Sequence, residues 1–223
     1  MLRAISATDF YRSLPANCKT SRDCPRHSDL HRTRQVIALH QLDLLLTSLH
    51  PGISEWYSPV VPGSGLHPRP GSASSLQTYF SEIDPSWSTV WYPSRKGEDI
   101  GEVHSRIDGF LGVFIPEVNR RCSGKHSHIL LVSHAATVIT LARSLLGNRD
   151  LPLRVGCCSL SEFTRATNAG ERTPSWTAVR LADGSHLKDG ASRDWGFEDV
   201  ETARGRVSDV CCIFAILAHH KVM

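Results

Sequence analysis

Residues 126–147, HSHILLVSHAATVITLARSLLG, confine the fold more than any other stretch. They read as a strand, a sharp turn and a helix in immediate succession. Ile129, Leu130, Leu131 and Val132 form a continuous apolar run, as in a strand covered on both faces. Ser133-His134-Ala135-Ala136 makes the turn. From Thr137, apolar residues recur at Val138, Ile139, Leu141, Ala142, Leu145 and Leu146. That spacing predicts a helix with one core-facing stripe, closed by the C-cap pair Gly147-Asn148. His134 thus falls at the carboxyl end of a strand and just ahead of a helix N-terminus. Open α/β sheets bind ligands at such a place, where free N–H groups and the helix dipole favour an anion. A lone histidine is more often a hydrogen-bonded core residue; the junction is what turns this one towards function.

The chain has 223 residues, enough for one α/β domain with a substantial core. A net charge of +3 is too mild to argue for nucleic-acid or membrane binding. The longest apolar run, residues 210–218, is too short for a bilayer, which needs about 20 residues. The N-terminus has no apolar core of signal-peptide length. The twelve histidines include no pair supported by cysteines or carboxylates at metal-ligand spacing, so no metal site is expected. His126 and His128 share one strand face and read as solvated. Seven cysteines, with adjacent pairs at Cys157-Cys158 and Cys211-Cys212 and no Cys-x-x-Cys, predict a reduced, intracellular chain.

In chain order, residues 1–27 show no periodicity and read as a poorly ordered or non-native leader. Leu30, Ile37, Ala38, Leu42, Leu44 and Leu45 predict a helix ahead of the Pro51-Gly52 turn. Glu55, between Ser54 and the aromatic pair Trp56-Tyr57, stands where a long Pro- and Gly-rich loop begins. Long ordered loops in compact domains are often functional. Ser74-Ser75 predicts the cap of a short helix. Residues 97–121 predict a long helix with Ile100, Val103, Ile107, Phe110, Leu111, Phe114 and Val118 inward. Its leading acids Glu98, Asp99 and Glu102 and trailing Arg120-Arg121 suit the helix dipole and read as a solvated face. Pro116 should kink or end it. Residues 159–165 and 175–181 predict two antiparallel strands. From Thr202 the sequence changes style, so residues 202–223 read as a divergent tail.

Four segments, in order, resemble the histidine phosphatase superfamily, with the phosphoglycerate mutase-like fold. Residues 130–138, LLVSHAATV, resemble its second histidine motif. Residues 28–35, SDLHRTRQ, resemble its Ser-Pro-x-x-Arg-x-x-Gln-Thr-Ala helix start. Residues 51–56, PGISEW, resemble its Pro-Gly-Leu-x-Glu-Trp segment. Gly97-Glu98-Asp99 with Arg106 resembles its Gly-Glu-Ser…Arg helix. Two branches are nearest in detail. The suppressors of T-cell-receptor signalling have an element like Cys158-Ser159; the fungal phosphatase-like subunits of transcription factor tau have one like residues 193–197, RDWGF.

The resemblance implies an α/β, three-layer sandwich with a mostly parallel sheet, covering residues 28–201. It implies a phosphomonoesterase domain that works without a cofactor. Its partner would be a phosphorylated substrate or a phosphate anion, with a place in a protein complex as the non-catalytic alternative. In the family a first histidine, in Arg-His-Gly at the end of the first strand, attacks phosphorus. Arginines and the second histidine hold the phosphoryl oxygens, and a carboxyl group protonates the leaving oxygen. By this likeness His134 is the second histidine, Glu55 the acid and Arg32 a clamp, and the Ala135 N–H adds an anion contact. No Arg-His-Gly precedes Arg32. Arg26-His27-Ser28 imitates it but abuts the Arg32 helix, with no apolar strand before it. The chain therefore reads as a member lacking the first strand and nucleophile, by loss or by an incomplete reading of its gene, and weakly active or inactive.

Overall fold

The computed structural model describes residues 48–69, 71–79, 81, 83–87, 91–122, 128–165, 176–200 and 214–219. The predicted leader 1–27, the Arg26-His27-Ser28 segment and the helix carrying Arg32 lie outside the described residues.

A 3-10 turn, Pro51–Ile53, opens the described chain, fully buried. The short helix α1, Ala73–Gln77, is capped not by the expected Ser74-Ser75 but by Ser72, whose side chain accepts from the Ser75 N–H. The long helix α2 runs Ile100–Cys122. Val103, Ile107, Phe110, Leu111, Phe114 and Val118 are buried along it as the spacing predicts, while Ile100 is exposed. Pro116 lies inside the helix rather than ending it. Both Pro116 and Gly112, four residues back, are on the solvent side, so the carbonyl that Pro116 cannot serve meets water.

Strand β1, His128–Ser133, leads directly into helix α3, Ala135–Leu146. Gly147 closes α3 in the left-handed region at φ 64°, and the Asn148 N–H donates to the Arg143 carbonyl. The single apolar stripe expected of α3 is too narrow: every residue from Ala135 to Ala142 is buried. Its two threonines fit because their hydroxyls are satisfied, Thr140 by the Ala136 carbonyl and Thr137 by that of Ser54.

Strands β2, Val155–Cys157, β3, Leu160–Arg165, β4, Trp176–Asp183, β5, Ser192–Trp195, and β6, Phe214–His219, complete the described elements with a 3-10 turn, Phe197–Asp199. The main sheet has the order β1-β6-β3-β4, and β2 and β5 form a separate antiparallel pair. Among the described strands the expected mostly parallel pairing is not seen: β3 and β4 are antiparallel, and so are β1 and β6. Of these strands only β3 and β6 run parallel. The cause is β6, which enters from the far end of the chain between β1 and β3. Ser133 stands beside Phe214, and Leu160 beside Ala215, so the end of β1 and the start of β3 share one sheet edge.

α3 lies against β2, β4 and β6, and α2 against α3 and the Pro51–Ile53 turn. One apolar core joins these helices to Trp56, Leu131, Phe163, Trp195 and Phe197. Cys157 is disulfide-bonded, so the expectation of a fully reduced chain fails at that residue; Cys158 beside it keeps a buried thiol. No helix among the described residues is long and apolar enough to cross a membrane.

Candidate active site

His134 is the N-cap of α3, with extended backbone and no capping bond from its own side chain. The Val138 N–H closes the first turn on the His134 carbonyl. The N–H groups of the first helical residues, Ala135 foremost, have no partner within the helix and point out at its start. Ala135 itself is buried.

Segment 51–56 is fixed against this junction by polar contacts from three elements. From the end of β1, the buried Ser133 hydroxyl donates to the Ile53 carbonyl at 2.6 Å. From α3, Thr137 Oγ1 donates to the Ser54 carbonyl at 2.9 Å. From α2, Arg106 Nη1 donates to the Gly52 carbonyl at 2.6 Å and reaches the Ser54 carbonyl at 3.4 Å. Gly52 must be glycine: an added Cβ would lie 2.7 Å from the Phe110 ring.

Arg106 is held in turn by Glu98, whose two carboxylate oxygens take its Nε at 2.9 and 3.0 Å. Glu98 is 4% exposed and Arg106 1%. The reading of Glu98 as part of a solvated face is therefore corrected: it is the buried counter-charge of Arg106. Burial pulls the Arg106 guanidinium below its ordinary value, while Glu98 and, farther out, Glu55 draw it back up. The Glu98 backbone joins the same lattice. Its N–H donates to the Tyr57 carbonyl, and its carbonyl accepts from Trp56 Nε1 at 2.8 Å. Gly97 makes this approach feasible at φ 85°, where a Cβ would fall 2.2 Å from the Ser58 carbonyl oxygen.

The outcome is that Glu55 and His134 face each other, with Oε2 2.9 Å from Nδ1 and both side chains partly open to solvent. The separation suits an ion pair once the imidazole is protonated. The ring N–H is not aimed at the oxygen, so Nδ1 makes no hydrogen bond. Glu55 Oε1 accepts from the Trp56 N–H at 3.0 Å. Ser54 Oγ and Arg106 Nη2 are likewise buried with no hydrogen-bond partner among the described residues. Three unsatisfied polar atoms thus belong to one cluster, which is what a site for a polar ligand or water leaves behind.

The loop that follows is tied down. Val60 and His67 donate to the Lys96 and Arg95 carbonyls, and His67 stacks on Tyr57 at 4.7 Å between ring centroids. Of the site residues expected from sequence, His134, Glu55 and Ala135 come together, and Arg32 lies outside the described residues. Sequence reasoning noted Arg106 only as part of a family motif, and gave no site role to it, to Ser133 or to Thr137. Ser133 and Thr137 flank His134 at spacings that could have signalled polar contacts from a buried turn. No group of three potential metal ligands occurs among the described residues.

The sequence profile of the histidine phosphatase superfamily (branch 1) matches residues 16–177. Over an alignment 182 positions long, the chain is 29% identical to the transcription factor tau 55 kDa subunit of Saccharomyces cerevisiae. That match covers 70% of this chain and 41% of the yeast protein, so the chain corresponds to about two fifths of its relative's length.

Proposed function

Since the chain belongs to the histidine phosphatase superfamily, we propose that the turn at His134 is a phosphate-handling site within a phosphomonoesterase-type domain spanning residues 28–201. His134 holds the phosphoryl oxygens through a ring N–H, aided by the Ala135 N–H and the helix dipole. Arg32 serves as the clamp. Glu55, as the carboxylic acid, protonates the leaving oxygen. The carrying observation is the 2.9 Å approach of Glu55 to His134 at the helix N-terminus.

Turnover of this polypeptide should be slow or absent, because no Arg-His-Gly, the family's nucleophile motif, occurs in its sequence. Removing a nucleophile from a set of coupled residues costs on the order of a millionfold in rate. The second reading is a non-catalytic phosphate-binding or scaffold subunit of a larger complex, in the nucleus or cytoplasm, that does not itself grip nucleic acid. The relative's identity as a subunit of a transcription factor favours it.

Titrating the protein with phosphate or vanadate while following backbone amide signals tests the site. Shifts should centre on Ala135 and weaken in His134→Ala. No shift there would remove the phosphate reading. An aryl phosphate assay separates enzyme from binder: robust turnover lost in His27→Ala would restore a nucleophile.

A further inference from the structure

Resting on the reading of His134 and Glu55 as the phosphate site, we infer that Arg106 is its positioning residue, setting the Glu55 carboxylate against the His134 ring through the backbone of the 51–56 turn. Arg106 touches neither His134 nor any group proposed to contact substrate. Its guanidinium is wholly inside the protein, which is costly for a side chain that could reach solvent. Three of its contacts converge on one purpose. Nε is locked by both oxygens of Glu98, and Nη1 spans the carbonyls of Gly52 and Ser54, the residues leading into Glu55. Glu98 then fixes Trp56, on the other side of Glu55, through its carbonyl. Glu55 is thus held from both neighbours by one buried ion pair, while its own carboxylate stays free to meet His134.

Planarity is essential to this arrangement. A guanidinium offers donors in fixed directions, and an ammonium does not. Arg106→Lys retains the positive charge and loses the fork. If Arg106 acted only through its charge, lysine would substitute. If it served only to fill the core, the loss would register in stability alone. A positioning role predicts a third pattern: the turn relaxes and Glu55 moves away from the imidazole.

Glu55 from the turn faces His134, and Arg106 from α2 feels the charges of both Glu98 and Glu55. The experiment follows, by NMR in the full chain and in phosphate-free buffer at one fixed pH, the nuclear Overhauser contact between the Glu55 side-chain methylene protons and the His134 ring protons. Arg106→Lys should weaken that contact several-fold. A folded Arg106→Lys whose contact keeps the parent intensity overturns the inference. If Arg106→Lys does not fold, Glu98→Gln decides in its place, since it loosens the same guanidinium while leaving its carbonyl contacts possible. Because no phosphate is present, failed phosphate binding would sink the site's function without touching this result, and an unchanged Glu55–His134 contact in Arg106→Lys would leave phosphate binding standing.

Discussion

Helix α2 has a carboxylate–arginine pairing near each end. At the N-terminal end Glu98 and Arg106 are enclosed, and every contact of the pair leads to the turn bearing Glu55. At the C-terminal end Glu117 takes Arg120 and Arg121 on the surface, where Arg120 is 66% exposed and its contact at 2.6 Å ties the helix only to itself. The chemistry is alike; what differs is what water can replace. Exposed partners that separate are rehydrated, and the pair contributes little. A buried partner left alone cannot be rehydrated, so its loss is severe even though the intact pair has repaid a large desolvation cost.

The largest expected effect follows from that asymmetry. Glu98→Ala should destabilise the protein by about 3–5 kcal/mol in urea denaturation, because Arg106 is left charged in the core. Replacing both partners with apolar residues of similar volume should cost far less than the sum of the single changes. A loss from Glu98→Ala no larger than that from a surface substitution would mean that water reaches Arg106, and the contrast between the two ends would collapse.

His50 sharpens the comparison, because it lies in the core yet feels the exposed end. Its ring meets Trp87, Phe110 and Phe114 edge-on, and its Nε2 lies 3.2 Å from Ser48 Oγ. Burial, reinforced by the charge of Arg121, lowers its pKa from 6.5 to about 4. The unfolded chain therefore binds a proton at this residue between those values and the folded chain does not. Stability should rise with pH across that window, by roughly 3 kcal/mol at full extent, and the penalty should be complete below about pH 4. Urea melts from pH 4 to 7 should show the slope in the parent and its loss in His50→Phe. The same slope in the variant would assign the effect to another group.

The comparison also explains what the sequence could disclose. The inward face of α2 was legible because its apolar residues keep a helical period over many turns. The β1–α3 junction was legible for the same reason, and the order of motifs put Glu55 in the same neighbourhood as His134. Glu98 was misread because an acid at a helix start has a good local reason to be there, the dipole, and periodicity says nothing of a partner buried two turns on. The direction of the sheet was hidden because it depends on β6, a strand from the stylistically different tail. β2 and β5 are only three and four residues long, too short for alternation to register.

A smaller effect should come from Thr137→Val. Thr137 is fully buried, and its hydroxyl is the shorter of the two donors to the Ser54 carbonyl. Valine keeps the shape and removes the donor, so a loss of about 1–2 kcal/mol is expected in the same denaturation measurement. Phosphate binding should weaken alongside, because Ser54 precedes Glu55. A stability loss with unchanged phosphate binding would show that α2 alone is sufficient to place the turn.

The smallest effect belongs to the exposed end. Arg120 and Arg121 hold the Glu117 carboxyl at about 2, well below its ordinary 4.5, chiefly through hydrogen bonds to its oxygens. A depressed carboxylate contributes stability above its unfolded value and loses that contribution as pH falls through its folded value. By sign alone, Glu117 would help above pH 4.5 and cease to help near pH 2. In full solvent, however, the attraction is screened and the two arginines lose side-chain freedom to make it. Glu117→Gln should therefore leave the melting temperature within about 1 °C of the parent at neutral pH, with or without added salt. Arg121 should still lie over Trp87, whose ring it covers at 4.5 Å whatever the state of Glu117. A drop approaching that of Glu98→Ala would show that the surface cluster anchors the Trp87 segment to α2, and that burial is not what distinguishes the two ends of the helix.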